Sequence, residues 1–354
     1  PVINRLCLEK RLLGEVLAAF GLAVAEPAEM DMTLADWMAP FYIGSTEVTR
    51  NGHNRLQDIE DEYHCLPFPA CSIAVSNLKR GWEARENSVA ILAATEAIMG
   101  SMGYLISQRQ ALVLGSRGAI GRHVISDLSY KMGAAKVAGV DLAVNPDTYN
   151  GLNPNRDSQW LERMAPAELP REILYNTDLF IGIIGVSILS ADVVEDILLN
   201  SKHDRFYFVS GSTKTLEFEQ LSGWINDLLN QDNPRINGLP VKLEVEMMRD
   251  PQTRATQGRY VKVVFLPEPG QTMVKTVTRH LYLFAELMPI NFLYYGTPCE
   301  VIDHVMRQFL QVSLGLVRST AGQESALPGR LLSVDYQIDE EAHLLPDIKV
   351  TKSA

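Results

Sequence analysis

The chain has 354 residues, 46% of them hydrophobic and 21% charged, with a formal net charge of −11. That length suits one large domain or two, and that composition builds a packed core rather than a disordered chain. The acidic balance, with a pI near 5.2, argues against a nucleic-acid binder, which needs a basic face to meet phosphates. A small-molecule substrate fits better. No run of about 18 uncharged apolar residues occurs, so no membrane span or membrane partner is expected. Cys7, Cys65, Cys71 and Cys299 lack metal-ligand spacing. Reduced thiols, no metal site and a cytoplasmic location are the expectation.

Residues 6–20 form an apolar, helix-like segment, followed to about residue 85 by loops rich in Pro, Asn and acidic residues. The segment 88–104, rich in Ala, Ile, Leu and Met and free of proline, predicts a long buried helix. Residues 111–114 are a short apolar run ending in glycine, which predicts a buried parallel strand. Residues 122–132 follow with helical spacing, placing Val124, Ile125, Leu128 and Met132 on one side. A second strand at 136–140 completes a βαβ unit. Further along, 179–184 and 205–209 read as strands and 191–200 and 216–229 as helices. The rhythm breaks at 230–262: 230–237 is polar and turn-rich, while 241–248 and 260–266 are β-rich and able to pair. Helices are predicted over 273–285 and about 300–316, and 334–354 reads as a polar tail. The alternation predicts an α/β fold, a Rossmann-type doubly wound parallel sheet with a second, smaller α/β substrate domain.

The loop of Gly115, Ser116, Arg117, Gly118, Ala119, Ile120 and Gly121 joins a predicted strand to a predicted helix. Glycines there permit a tight turn, close approach of backbone to a diphosphate, and close packing of helix on sheet. The helix N-terminus then offers free N–H groups and a positive dipole to the phosphates. Asp141 stands twenty residues after Gly121, at the end of the next strand. An acid there accepts from the adenosine ribose hydroxyls and repels a 2′-phosphate, so NAD is the expected cofactor rather than NADP. The three glycines are spaced one residue wider than in Gly-x-Gly-x-x-Gly.

Four further segments occur in a telling order around this loop: 44–56 (GSTEVTRNGHNRL), 69–79 (PACSIAVSNLK), 285–298 with Ala285-Glu286, Asn291 and Gly296-Thr297-Pro298, and 338–352 (IDEEAHLLPDIKVTK). Together they resemble the S-adenosylhomocysteine hydrolase (adenosylhomocysteinase) family. The resemblance implies a substrate-domain part at 1–85 to which 299–335 returns, an NAD domain at 86–298 with a β-rich insertion at about 230–262, and a C-terminal tail at 336–354. It also implies a bound NAD that transiently oxidises a ribose 3′-hydroxyl, making the neighbouring C–H acidic. A homo-oligomer, dimer or tetramer, is implied as well.

Residue roles follow from the same resemblance. Lys79 matches the lysine that handles the hydroxyl proton, with Glu86 as its acid–base partner after a small gap. Glu47 matches a glutamate that binds substrate hydroxyls. Thr49, Asn87, Gly185 and Asn291 fall on the cofactor side. Asp31, or Glu29, stands where the family has an acidic cluster, and Ser212 and Thr297 stand where it has two histidines. His53 reads as a loop-holding residue. Losing both histidines removes groups suited to proton transfer near neutrality, which argues against efficient hydrolysis of S-adenosylhomocysteine. The expected function is therefore NAD-dependent oxidation of a secondary hydroxyl on a nucleoside or sugar-like substrate, ending in elimination or hydrolysis, epimerisation or dehydrogenation. A non-catalytic NAD-binding regulator and a true hydrolase are the alternatives.

Overall fold

The computed structural model describes residues 2–22, 29–141, 158–160, 170–212, 215–267, 277–294, 296–320, 327–334 and 350–352. The chain divides into two compact units, Pro1–Glu83 with Cys299–Ala354, and Ala84–Pro298.

The first unit opens with helices α1 (Val2–Leu8), α2 (Leu13–Ala19) and α3 (Leu34–Met38). The single helix expected over 6–20 is thus two. Lys10 takes a left-handed conformation with φ of 55°, and the Leu13 N–H donates to the Met32 carbonyl instead of continuing a helix. Strand β1 (Ser45–Glu47), helix α4 (Arg50–Tyr63) and strand β2 (Ala70–Ser72) follow, and then a π-helical turn, Lys79–Glu83.

The second unit begins with α5 (Ala84–Ser101), long and buried as its apolar composition predicts. Next come β3 (Gln110–Leu114), α6 (Gly121–Tyr130), β4 (Lys136–Val140), β5 (Ser158–Trp160), α7 (Arg171–Asn176), β6 (Leu179–Gly182), α8 (Ala191–Asn200), β7 (Arg205–Ser210) and α9 (Glu219–Leu229). A meander of β8 (Arg235–Ile236), β9 (Leu239–Arg249), β10 (Thr256–Phe265) and β11 (Thr278–Phe284) follows, and then the short α10 (Asn291–Tyr294). The chain returns to the first unit through α11 (Cys299–Thr320), β12 (Leu331–Val334) and β13 (Val350–Lys352). There β1, β2 and β12 run parallel, and β13 closes the four-stranded sheet antiparallel to β12.

The nine-stranded sheet of the second unit has the order β5-β4-β3-β6-β7-β11-β10-β9-β8. Its first six strands are parallel. That is the doubly wound Rossmann order, with a switch point between β3 and β6. Side chains alternate between two cores. Leu112, Phe180, Phe206, Phe208 and Leu281 pack with Ile197 of α8 and Ile225 of α9. Val113, Ile181, Tyr207 and Val209 pack with Ile91 of α5 and Val124 of α6. Both faces are covered, which is why the parallel strands read as continuous apolar runs.

A further expectation changes. The helix predicted over 273–285 is strand β11 in its described part, with 268–276 outside the described residues. Arg279, Leu281 and Leu283 alternate inward with Thr278, His280 and Tyr282, and the strand pairs parallel with β7. The β-rich stretch prolongs the same sheet: β10 pairs antiparallel with β11 and with β9. Most of the C-terminal segment 338–352 lies outside the described residues. No described helix is long and apolar enough to cross a membrane.

Candidate functional site

The glycine turn sits at the carboxyl end of β3, beside the switch point. Gly115 has a φ of 92°, open to glycine at no steric cost. A Cβ on Gly115 would lie 2.8 Å from the Ile183 backbone, and one on Gly121 would lie 1.9 Å from the Gly115 carbonyl oxygen. At Gly118 the same atom would keep 3.3 Å from that oxygen. Two of the three glycines are therefore demanded by the turn itself. The Gly115 and Ser116 N–H groups donate to the Val140 carbonyl, fixing the turn on β4. Ser116 is buried, Arg117 half-buried and Gly118 exposed; Ala119 and Ile120 are half-buried at the start of α6. Asp141 follows β4 directly, and its Oδ2 accepts from the Arg117 N–H at 2.9 Å. The turn and the carboxylate form one assembly.

On the far side of the switch point, the segment after β6 carries Gly185, exposed, with φ of 82°. Its N–H donates to Glu217 Oε1 at 2.6 Å. Glu217 is 0% exposed. Burial pushes its carboxyl above the ordinary glutamate range, opposed by the Gly185 N–H, the Ser212 hydroxyl and the Ile184 N–H. The folded chain thus holds this proton to a higher pH than the unfolded chain. Glu217's contribution is full below the unfolded value and is lost as pH rises through the window up to the raised folded value. Glu217→Gln is expected to flatten that part of the profile, read by thermal melts between about pH 4 and 8; an unchanged profile would assign the slope to other groups.

Ser212 follows β7 and is half-buried. Asn291, 6% exposed, opens α10, and the neighbouring Ile290 N–H donates to the Ser210 carbonyl. Asn291 Oδ1 and Ser210 Oγ are buried and make no hydrogen bond among the described residues. The Thr297 hydroxyl donates to Asn87 Oδ1 at 2.6 Å, so these two residues are brought together between α5 and the turn after α10. Glu86 lies in the first turn of α5.

In the first unit, Lys79 pairs with Glu83 at 2.5 Å across one π-helical turn, with side chains 17% and 12% exposed. The carboxylate that pairs with Lys79 is Glu83, at i+4. Glu47 and Thr49 serve α4. Glu47 Oε1 accepts from the Thr49 N–H and hydroxyl at 2.6 and 2.7 Å, and the Thr49 hydroxyl accepts from the Gly52 N–H at the helix start. His53 Nδ1 lies 3.0 Å from Ser72 Oγ; burial, then the Arg50 charge, lowers its pKa. Asp31 is exposed, and Glu29 Oε2 accepts from the Trp37 indole at 3.2 Å. No cluster of three or more His, Cys, Asp or Glu among the described residues could hold a metal.

No family model matches the chain, and no curated protein matches it. Solved structures similar to parts of it include a D-2-hydroxyisocaproate dehydrogenase, at 10% identity and TM-score 0.34, covering 65% of this chain and 72% of that one. A D-isomer specific 2-hydroxyacid dehydrogenase from Lactobacillus delbrueckii ssp. bulgaricus, in an NAD complexed form, overlaps at 12% identity and TM-score 0.35, covering 55% of this chain and 58% of that one. An L-tryptophan dehydrogenase from Nostoc punctiforme overlaps at 16% identity and TM-score 0.31, covering 50% of each chain. The overlaps are partial, and the fold assignment rests on the strand order described above.

Proposed function

We propose that the chain is an NAD-dependent oxidoreductase built on the adenosylhomocysteinase plan, acting on a secondary hydroxyl of a nucleoside or sugar-like substrate. The carrying observation is the turn at 115–121, whose first and last glycines admit no side chain, coupled to Asp141 at the end of β4. The residues present fit a dinucleotide. The turn exposes backbone to a diphosphate at a helix N-terminus. Asp141 keeps one oxygen on the Arg117 N–H, and a ribose hydroxyl would donate to the same carboxylate. Asn291 Oδ1 and Ser210 Oγ would accept donors from the other half of the ligand.

Bound NAD would supply the hydride acceptor. On the chain's side, oxidation requires a group that takes the hydroxyl proton, and we assign this to Lys79. Its pairing with Glu83 holds the amine in one rotamer, and Lys79 would take the hydroxyl proton as its ammonium hands one to the Glu83 carboxylate. Ser212 and Thr297 orient by hydrogen bonding rather than by titrating. A homo-oligomer belongs to the same reading; an exposed apolar stripe on α11, Met306, Leu310, Leu314 and Val317, supports it.

The test is mass spectrometry of small molecules released on denaturing the purified protein, together with NADH titration. NAD or NADH is expected in the released fraction or in saturable binding. Asp141→Ala is expected to weaken NADH binding by about tenfold or more and to narrow its preference over NADPH. Neither retention nor uptake would defeat the reading.

A further inference from the structure

The adenine-side ribose belongs with Asp141 at the end of β4, so the rest of a dinucleotide crosses the switch point toward β6 and β7. The wall it meets there is the segment 182–185. That segment is held from both sides. On one side its Ile183 and Ile184 backbone lies against the Gly115 turn so closely that a Cβ on Gly115 would come within 2.8 and 2.9 Å of them. On the other side stands Glu217. Its Oε1 accepts from the Gly185 N–H at 2.6 Å. Its Oε2 and Cβ would each lie 3.1 Å from a Cβ on Gly182, and the Phe218 ring would lie 3.0 Å away. The carboxyl, fully buried, is wedged behind the strand end and tied to the loop beyond it. It also meets the Ser212 hydroxyl, and so joins the segments after β6 and β7.

We propose that Glu217 is a positioning residue for the nicotinamide half of the cofactor, setting where the 182–185 wall stands relative to the glycine turn. The proposal rests on the NAD reading above. A charged or neutral carboxyl can hold the Gly185 N–H; an apolar side chain cannot, and it leaves that donor without its acceptor and the loop untied. Glutamine keeps an acceptor oxygen at the same reach. Glu217 touches no part of the ligand; it acts through Gly185 and Gly182.

The experiment compares NADH with ADP-ribose, which carries everything except the nicotinamide ring, on the full chain. NADH binding is read by its fluorescence and ADP-ribose by competition. In Glu217→Leu, NADH is expected to bind about tenfold more weakly or worse, while ADP-ribose changes by less than about threefold. Glu217→Gln should restore NADH to within about threefold of the parent. Gly182→Ala, pressing on Glu217 from the opposite side, should reproduce the selective loss and serves if the leucine variant does not fold. Equal losses for both ligands, no loss for either, or a glutamine variant as weak as leucine would overturn the role of Glu217. A parent protein that binds ADP-ribose but shows flat variants sinks only this proposal; one that binds neither ligand sinks the NAD reading with it.

Discussion

Gly121→Ala is expected to abolish NADH binding, whereas Gly118→Ala, three residues earlier in the same turn, leaves it largely intact. The new Cβ at 121 would sit 1.9 Å from the Gly115 carbonyl oxygen, 2.8 Å from its carbon and 3.1 Å from Ser116 Cα. All three are backbone atoms, fixed by the N–H groups of Gly115 and Ser116 on the Val140 carbonyl, so no flexible side chain can swing aside. The turn must open. That costs about 3 kcal/mol or more in stability, and about a hundredfold or more in NADH affinity. At 118 the nearest atom is 3.3 Å away, and a shift of a few tenths of an ångström accommodates the methyl, for about 1 kcal/mol or less. Fluorescence titration beside a denaturant melt separates the two variants. Equal tolerance at both positions would mean that the turn is not held as described.

Asp178→Ala is expected to give the largest loss of stability, without a matching loss of nucleotide affinity. Asp178 is 1% exposed and stands just before β6, at the amino ends of the strands, opposite the glycine turn. Its Oδ1 accepts from the Gln110 N–H at 2.7 Å, and its Oδ2 accepts from Arg109 at 2.8 Å. The Arg109 guanidinium also lies 5.4 Å from the centre of the buried Tyr207 ring. Removing the carboxylate leaves that cation and one backbone donor without their partner, at a cost of about 3–5 kcal/mol. Replacing both members, Arg109→Met with Asp178→Leu, should cost markedly less than the single change, because no uncompensated charge remains. Denaturant unfolding of the two variants checks the difference. A double variant no better than the single would refute the burial argument.

The central βαβ unit is legible in the sequence because its signals agree. A four-residue apolar run, three glycines and a periodic helix point to one local structure, and β3, α6 and β4 stand where those signals put them. The β11 strand is not legible, because Val277, Leu281 and Phe284 stand at i, i+4 and i+7, the spacing of a helix face rather than the alternation of a strand. Only pairing with β7, where His280 meets Arg205 and Leu283 meets Phe208, makes it a strand. The break between α1 and α2 hides for a related reason: apolar spacing runs on across Glu9, Lys10 and Arg11, while the turn depends on Met32 arriving from elsewhere. In the site, Gly115, Gly121 and Asp141 announce themselves through residue type and spacing. Glu217 does not. Nothing in its neighbourhood marks a glutamate as buried, since its burial is made by strands β6 and β7 and by a glycine at 182 that leaves it room. Glu83 is visible in principle, four residues from Lys79, but a π-helical turn rather than an α-helix sets that contact.

The prolongation of the parallel sheet by β11, β10 and β9 also decides how the molecule meets its own kind during refolding. Without it, β7 would present an apolar rim of unpaired amides. With it, the rim moves outward to β9, whose start is covered by the two-residue β8 and whose remainder carries Lys242, Glu244, Glu246 and Arg249. Lys242 and Lys262 both grip Glu244. Charges so placed resist strand-to-strand aggregation, so this stretch of β9 beyond β8 acts as a built-in guard against fibrous self-association.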